Sequence, residues 1–128
     1  MIPENALVLI GEDEPDNQII LQTVVESLVG VRAEVAGDGL AVLASVGRER
    51  PRMILLDLMM PGLDGFQVTR QLKSDPATAG IPIVAVSAMA RPDDREAALA
   101  AGCDEFVRKP FELDDLEAVI RGYLEEVS

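Results

Sequence analysis

The sequence predicts an α/β fold: a doubly wound, five-stranded parallel sheet with helices on both faces. Three observations predict it: short apolar runs rich in Val, Ile and Leu, segments of helical spacing between them, and turn residues where the two periods meet. Runs as apolar as Ala6–Ile10, Met53–Leu56 and Ile81–Val86 suit strands covered on both sides, as in parallel sheets. A weaker run at Glu105–Val107 and a half-polar one at Arg32–Ala36 bring the strands to five.

The intervening segments read as helices in order. Ile19, Ile20, Thr23, Val24 and Leu28 follow the first strand, and Leu40, Leu43 and Ala44 the second. Phe66, Thr69 and Leu72 follow the third, then Ala97, Leu99 and Ala100, and finally Leu113, Leu116, Val119, Ile120, Tyr123 and Leu124. Pro15 and Pro92 stand where a first helical turn tolerates a missing N–H. Asp64 with Gln67 predicts a capping pair, Pro76 follows the end of the third helix, and Gly102 that of the fourth. Right-handed crossovers between successive βα units give an open sheet, since five strands are too few for an eight-unit barrel.

Composition narrows the function. The 128 residues suit one domain, 1–128, and the 48% apolar content is ample for a core. With no Trp, one Tyr and three Phe, the core is aliphatic and there is little to stack on bases or flavins. A net charge of -12 disfavours nucleic acid and anionic membrane, and suits a divalent cation or a basic protein surface. Cys103 is the single cysteine, so no internal disulfide forms, and it reads as a small buried hydrophobe. Met1-Ile2-Pro3-Glu4 lacks a basic signal-peptide start, and no apolar run approaches bilayer length, so the chain reads as cytoplasmic, a monomer or weak dimer.

In doubly wound sheets ligands sit beyond the carboxyl ends of the strands. Here the first strand runs into Glu12 and Asp13, the third ends on Asp57, the fourth on Ser87 and the fifth on Lys109-Pro110. The first and third strands are neighbours in such a sheet, about 5 Å apart, which gathers three carboxylates. An all-oxygen cluster of that kind calls for a hard cation such as Mg²⁺. A carboxylate can also attack phosphorus to form an acyl phosphate, with a lysine and Mg²⁺ neutralising the charge and Ser87 donating to a phosphoryl oxygen. Each residue has an ordinary reading too: Asp13 as a helix cap, Glu12 as a solvated acid, Ser87 as a turn residue, Lys109 as a surface lysine. Asp57 is harder to set aside, because it interrupts the apolar run Met53–Met60 and would be costly to bury unpaired. Pro61-Gly62 predicts a tight turn with positive φ at Gly62 that folds the chain back over the site.

These residues resemble the receiver domain of bacterial two-component response regulators, over Ala6 to Leu124. The motifs are Glu12-Asp13, Leu56-Asp57-Leu58-Met59-Met60-Pro61-Gly62-Leu63-Asp64-Gly65, Ser87-Ala88 and Lys109-Pro110-Phe111. The resemblance implies a flavodoxin-like sheet of order 2-1-3-4-5. It implies that Asp57 accepts a phosphoryl group, and that Asp13, Asp57 and the Met59 carbonyl ligate Mg²⁺ with Glu12 acting through water. It further implies that Lys109 pairs with the phosphoryl group, that Ser87 and Phe106 are the switch pair, and that Lys109-Pro110 is cis. Such a domain is not an enzyme in the ordinary sense, since it catalyses only its own phosphorylation and dephosphorylation. Its donor is a histidine kinase or histidine-phosphotransfer protein, because this chain has no histidine, and a downstream protein target receives the signal.

Three positions stand out against the family pattern. Gly11 replaces a bulky aliphatic, which reads either as a relaxed strand end or as looser packing beside the site, whereas Met59 and Met89 put apolar bulk where a hydrolytic water approaches. The competing reading is a receiver-like scaffold that binds partners without being phosphorylated; the acidic pair, Asp57, Ser87 and Lys109 argue against it. A phosphohydrolase is disfavoured because Met59 stands where aspartate-nucleophile phosphatases carry a second aspartate, and a dinucleotide binder because no G-x-G-x-x-G follows the first strand.

Overall fold

The computed structural model describes residues 2–88 and 91–125, so the expectation attached to Met89 lies outside the described residues. Strands and helices alternate: β1 (Ala6–Gly11), α1 (Pro15–Glu26), β2 (Val31–Ala36), α2 (Gly39–Arg48), β3 (Met53–Leu56), α3 (Gly65–Ser74), β4 (Ile83–Ser87), α4 (Pro92–Ala101), β5 (Glu105–Arg108) and α5 (Leu113–Leu124). All strand pairs are parallel, in the order β2-β1-β3-β4-β5. The three uniformly apolar runs became the three central strands, buried along their whole length, and the two runs carrying charges became the edges. Charge on an edge strand keeps its open ladder from pairing with another chain.

Alternation of side chains across the sheet divides the core in two. Val8, Ile10, Met53, Leu55, Val84 and Val86 point to the face covered by α1 and α5, where Leu21, Val25, Leu116 and Ile120 meet them. Leu9, Ile54, Leu56, Ile83 and Ala85 point to the face covered by α2, α3 and α4, against Val42, Val46, Val68, Leu72 and Ala98. Burying each such Val, Ile or Leu contributes about 1.5–3 kcal/mol. Shifting any strand by one residue would exchange the faces, so this double burial fixes the register.

Local signals behave as the sequence implies, with one shift. Asp64 Oδ1 accepts from the Gln67 amide at 2.9 Å, and the Asp64 amide donates to Gln67 Oε1 at 3.1 Å, completing a capping box on α3. Gly102 ends α4 at φ 117°, and Pro15 and Pro92 open their helices. Asp38 caps α2 through the Ala41 amide at 2.8 Å, a cap the spacing had not singled out. β4 begins at Ile83, two residues later than the apolar run: Pro82 has no N–H, and its carbonyl accepts from the Ile54 amide at 2.9 Å just before the strand.

At the amino ends of β4 and β5 one lysine ties three segments together. Lys73 Nζ donates to the Ala79 carbonyl at 3.1 Å, to the Ile81 carbonyl at 2.9 Å and to Asp104 Oδ2 at 3.0 Å. The same Asp104 oxygen accepts from the Ile83 amide at 2.8 Å. Replacing Lys73 by Met removes a donor from two carbonyls and leaves the Asp104 carboxylate with the Ile83 amide but no cation, and should cost about 1–3 kcal/mol. The exposed pair Arg121–Glu117 is the control, since Arg121→Met should cost no more than about 0.5 kcal/mol. Urea unfolding measures both; equal midpoints for the two variants would show that Lys73 is not a staple.

Candidate functional site

The carboxyl ends of β1, β3, β4 and β5 meet in one cleft. β1 and β3 pair through Gly11 and Leu56, so the next residues, Glu12 and Asp57, leave the sheet side by side. Two backbone hydrogen bonds hold them there: the Asp57 amide donates to the Gly11 carbonyl at 2.8 Å, and the Glu12 amide to the Ala36 carbonyl at 3.0 Å. Gln18, in the first turns of α1, donates to the Glu12 carbonyl at 2.6 Å, a support that no sequence pattern indicated. Glu12, Asp13 and Asp57 each offer a carboxylate oxygen within 4.8 Å of the others.

The ordinary readings of the individual residues do not survive this geometry. Glu12 is fully buried and is no solvated acid. Asp13 is exposed at the mouth of the cleft, while α1 is preceded by Glu14 and has no side-chain cap. Asp57 is 8% exposed. Lys109, with a side chain only 15% exposed, is not a surface lysine: its Nζ lies 2.9 Å from Glu12 Oε1 and 3.4 Å from Asp57 Oδ2. It reaches them from the end of β5, where its amide donates to the Ser87 carbonyl at 2.8 Å. Ser87 is a buried strand residue, two positions beyond the Leu56–Ala85 pair, and so borders the cleft. The Lys109–Pro110 peptide is cis.

Met59 follows two residues after Asp57, and its amide donates to Asp57 Oδ1 at 2.9 Å. Its side chain is 62% exposed. Pro61-Gly62 makes the expected turn, with φ 74° at Gly62, and the Gly65 amide closes the loop on the Leu58 carbonyl at 3.2 Å. Phe106, in β5, lies farther back, paired with Ala85 of β4 and packed half-buried against the core beneath α2, α3 and α4. Cys103 is buried as expected, with its sulfur 3.6 Å from Thr69 Oγ1.

Gly11 does not loosen the packing. A Cβ placed on it would come within 2.7 Å of Leu56 Cδ1 and 2.8 Å of Val42 Cγ2. Those side chains occupy the volume a larger residue would have taken, so the core remains continuous up to the site.

Three carboxylates face one ammonium, and the imbalance shows on Glu12. Burial pushes its carboxyl up to about 7, the adjacent Asp57 adds to the rise, and Lys109 opposes it. Glu12 Oε2 is buried and, among the described residues, has no hydrogen-bond partner. An orphaned buried carboxylate oxygen beside two further carboxylates is a donor set for a cation, and the all-oxygen chemistry suits a hard one. The acidic cluster can hold a metal ion.

Comparison with known proteins agrees with this site. Residues 8–121 match the family model described as the response regulator receiver domain. Response regulator MprA of Mycobacterium leprae (strain TN) is 43% identical over 98 residues, covering 77% of this chain and 42% of that protein. A probable transcriptional regulator, ycf27, of Porphyridium aerugineum is 37% identical over 120 residues, 94% of this chain and 48% of that one. The chain thus spans about half the length of the curated relatives it matches. Among solved structures, the receiver domain of sensor histidine kinase PA1611 from Pseudomonas aeruginosa PAO1, with a magnesium ion coordinated in its active site cleft, superposes with a TM-score of 0.85 at 32% identity, covering 94% of this chain and 98% of that one. No helix among the described residues is long and apolar enough to cross a membrane. With its sheet order, strand-end acids and near-complete family match, this chain belongs to the response regulator receiver domains.

Proposed function

We propose that the chain is a phosphorylation switch in which Asp57 takes a phosphoryl group from a phosphohistidine on a partner kinase or phosphotransfer protein. The observation that carries this reading is the pairing of buried Asp57 with Lys109 Nζ at 3.4 Å, beside two further carboxylates and an orphaned Glu12 oxygen. Asp57 Oδ1 is engaged by the Met59 amide, which leaves Oδ2, beside Lys109, as the nucleophile. Oδ2 attacks phosphorus, a P–O bond forms as the P–N bond breaks, and the departing imidazole keeps the bonding pair and takes up a proton. Lys109 moves its interaction from the carboxylate to the arriving phosphoryl oxygens. Asp13, Asp57 and the Met59 carbonyl would hold Mg²⁺, with Glu12 in support. Bound there, Mg²⁺ supplies charge neutralisation for the transferring group.

The partner's docking face follows from exposure. Ile19 and Ile20 of α1 are 63% and 43% exposed beside the acidic mouth of the cleft, where an apolar protein surface with a basic rim would fit. Exposed Asp13, Glu14 and Asp16 precede that patch in the chain, which disfavours nucleic acid as direct partner. The reading puts the chain in the cytoplasm, monomeric or weakly dimeric, passing its signal to a protein target.

Two experiments test this. Incubation with acetyl phosphate and Mg²⁺ should add one phosphoryl group per chain, and Asp57→Asn or EDTA should abolish the addition. Mass spectrometry reads the result, and labelling that survives either change would overturn the assignment of Asp57.

The second concerns the switch. Ser87 borders the cleft and Phe106 sits on the neighbouring strand, paired with Ala85, so a hydroxyl drawn toward a phosphoryl group frees space that the ring can take. Activation is then a population shift between two packings. NMR shift changes on adding Mg²⁺ and beryllofluoride should reach Phe106 and α5, and should shrink in Ser87→Ala. Changes confined to residues 12, 13 and 57–59 would sink the switch.

A further inference from the structure

We propose that Gly39 is a positioning residue for the metal end of the site: its bare α-carbon seats the loop 58–64 that carries Met59. This rests on the reading that the acidic cluster binds a divalent cation. Gly39 is the first residue of α2, is buried and lies outside the cluster.

The loop is held at three places. At its base the Gly65 amide bonds the Leu58 carbonyl at 3.2 Å, and next to the site the Met59 amide bonds Asp57 Oδ1 at 2.9 Å. On the far side Leu63 lies directly on α2. A Cβ on Gly39 would be 2.0 Å from the Leu63 carbonyl oxygen, 2.9 Å from its carbonyl carbon and 3.0 Å from its Cβ. The two nearest atoms are backbone, so no side-chain rotation relieves the overlap and the loop has to lift. The contrast with Gly11 is instructive, since there the nearest atoms are ends of side chains that can turn away. Gly39 does not owe its place to its own backbone either. It lies in the helix with no left-handed φ, a position where alanine would be the better helix former. Space for Leu63 is the one requirement. A loop lifted from Gly39 carries Met59 with it and pulls its amide and carbonyl away from Asp57, which alters the metal end of the cleft while Lys109, Glu12 and Asp13 keep their places.

The test uses the whole chain and Mg²⁺ alone as the first probe. Amide NMR shifts of Asp57 and Met59 give the Mg²⁺ half-saturation, and phosphorylation by acetyl phosphate across a Mg²⁺ series gives half-saturation and maximal rate separately. Gly39→Ala should raise the Mg²⁺ half-saturation by about 10-fold or more, the size of effect expected from disturbing a ligand's support. Its maximal rate at saturating Mg²⁺ should stay close to that of the unmodified chain. Gly47→Ala, in the same helix with nothing within 4 Å, should change neither quantity. Leu63→Gly leaves the carbonyl in place but removes the Cβ that touches Gly39 and the side chain that anchors the loop on the core, and should raise the half-saturation in the same direction. A folded Gly39→Ala with unshifted half-saturation would overturn the inference. Should that variant not fold, an unshifted Leu63→Gly would overturn it instead. An unmodified chain that shows no Mg²⁺ response would overturn the reading of the site and this inference with it, whereas a normal response with unshifted variants overturns this inference alone.

Discussion

Lys109 Nζ, 2.9 Å from Glu12 and 3.4 Å from Asp57, is the contact on which the remainder of the site depends. Without a cation the two buried carboxylates, Glu12 and Asp57, would repel by on the order of 3–4 kcal/mol when both are charged, at an effective dielectric of about 20, and exposed Asp13 adds less because solvent screens it. A single ammonium offsets part of that, and only because β5 delivers it across β4 to the ends of β1 and β3. The remaining excess of negative charge is visible in the raised Glu12 carboxyl and in its unpartnered oxygen. The fold therefore holds an excess of negative charge in place, which a divalent cation can neutralise, and Lys109 beside it can pair with a phosphoryl group.

Holding that excess requires a rigid frame. The sheet supplies it by burying both faces of its central strands, so that strand register and the row of strand-end residues are determined together. Close packing continues to the rim, where Leu56 and Val42 fill the space beside Gly11 and the Leu63 backbone rests on Gly39. The two ends of the sheet differ in character. At the amino ends of β4 and β5, Lys73 satisfies two carbonyls and Asp104, and Asp104 also accepts the Ile83 amide. Lys73 and Asp104 pair with each other there. At the carboxyl ends the charges outnumber their partners. Satisfied charges thus lie at one end of the sheet and electrostatic imbalance at the other.

The helix α1 adds a further division of labour. Leu21, Val24 and Val25 face the core, while Ile19 and Ile20 remain open to solvent. Isolated exposed hydrophobics carry little meaning; it is the exposed acids just before these two in the chain that single them out for the docking face proposed above.

Much of this was legible in the sequence because the relevant physics is local or periodic. Apolar runs of strand length, helical spacing between them, Pro15, Asp64–Gln67 and Gly102 determined the element order, and the residues ending each strand named the site. Even the edges were foreshadowed by the charges in Val31–Ala36 and Glu105–Arg108. The reading in which Gly11 loosens its surroundings was wrong, since nothing in a one-dimensional pattern tells which side chains from β3 and α2 will fill a missing one. For the same reason the Lys73 staple, the Gln18 support of Glu12 and the contact of Leu63 on Gly39 were not visible: each joins segments whose proximity exists only after the crossovers are made. Chemistry of the site was written in residue types at strand ends. The depth at which Glu12 is buried, the partner Lys109 finds and the height of the loop carrying Met59 were decided by tertiary packing, because burial, charge balance and close contact are properties of neighbours in space and not of neighbours along the chain.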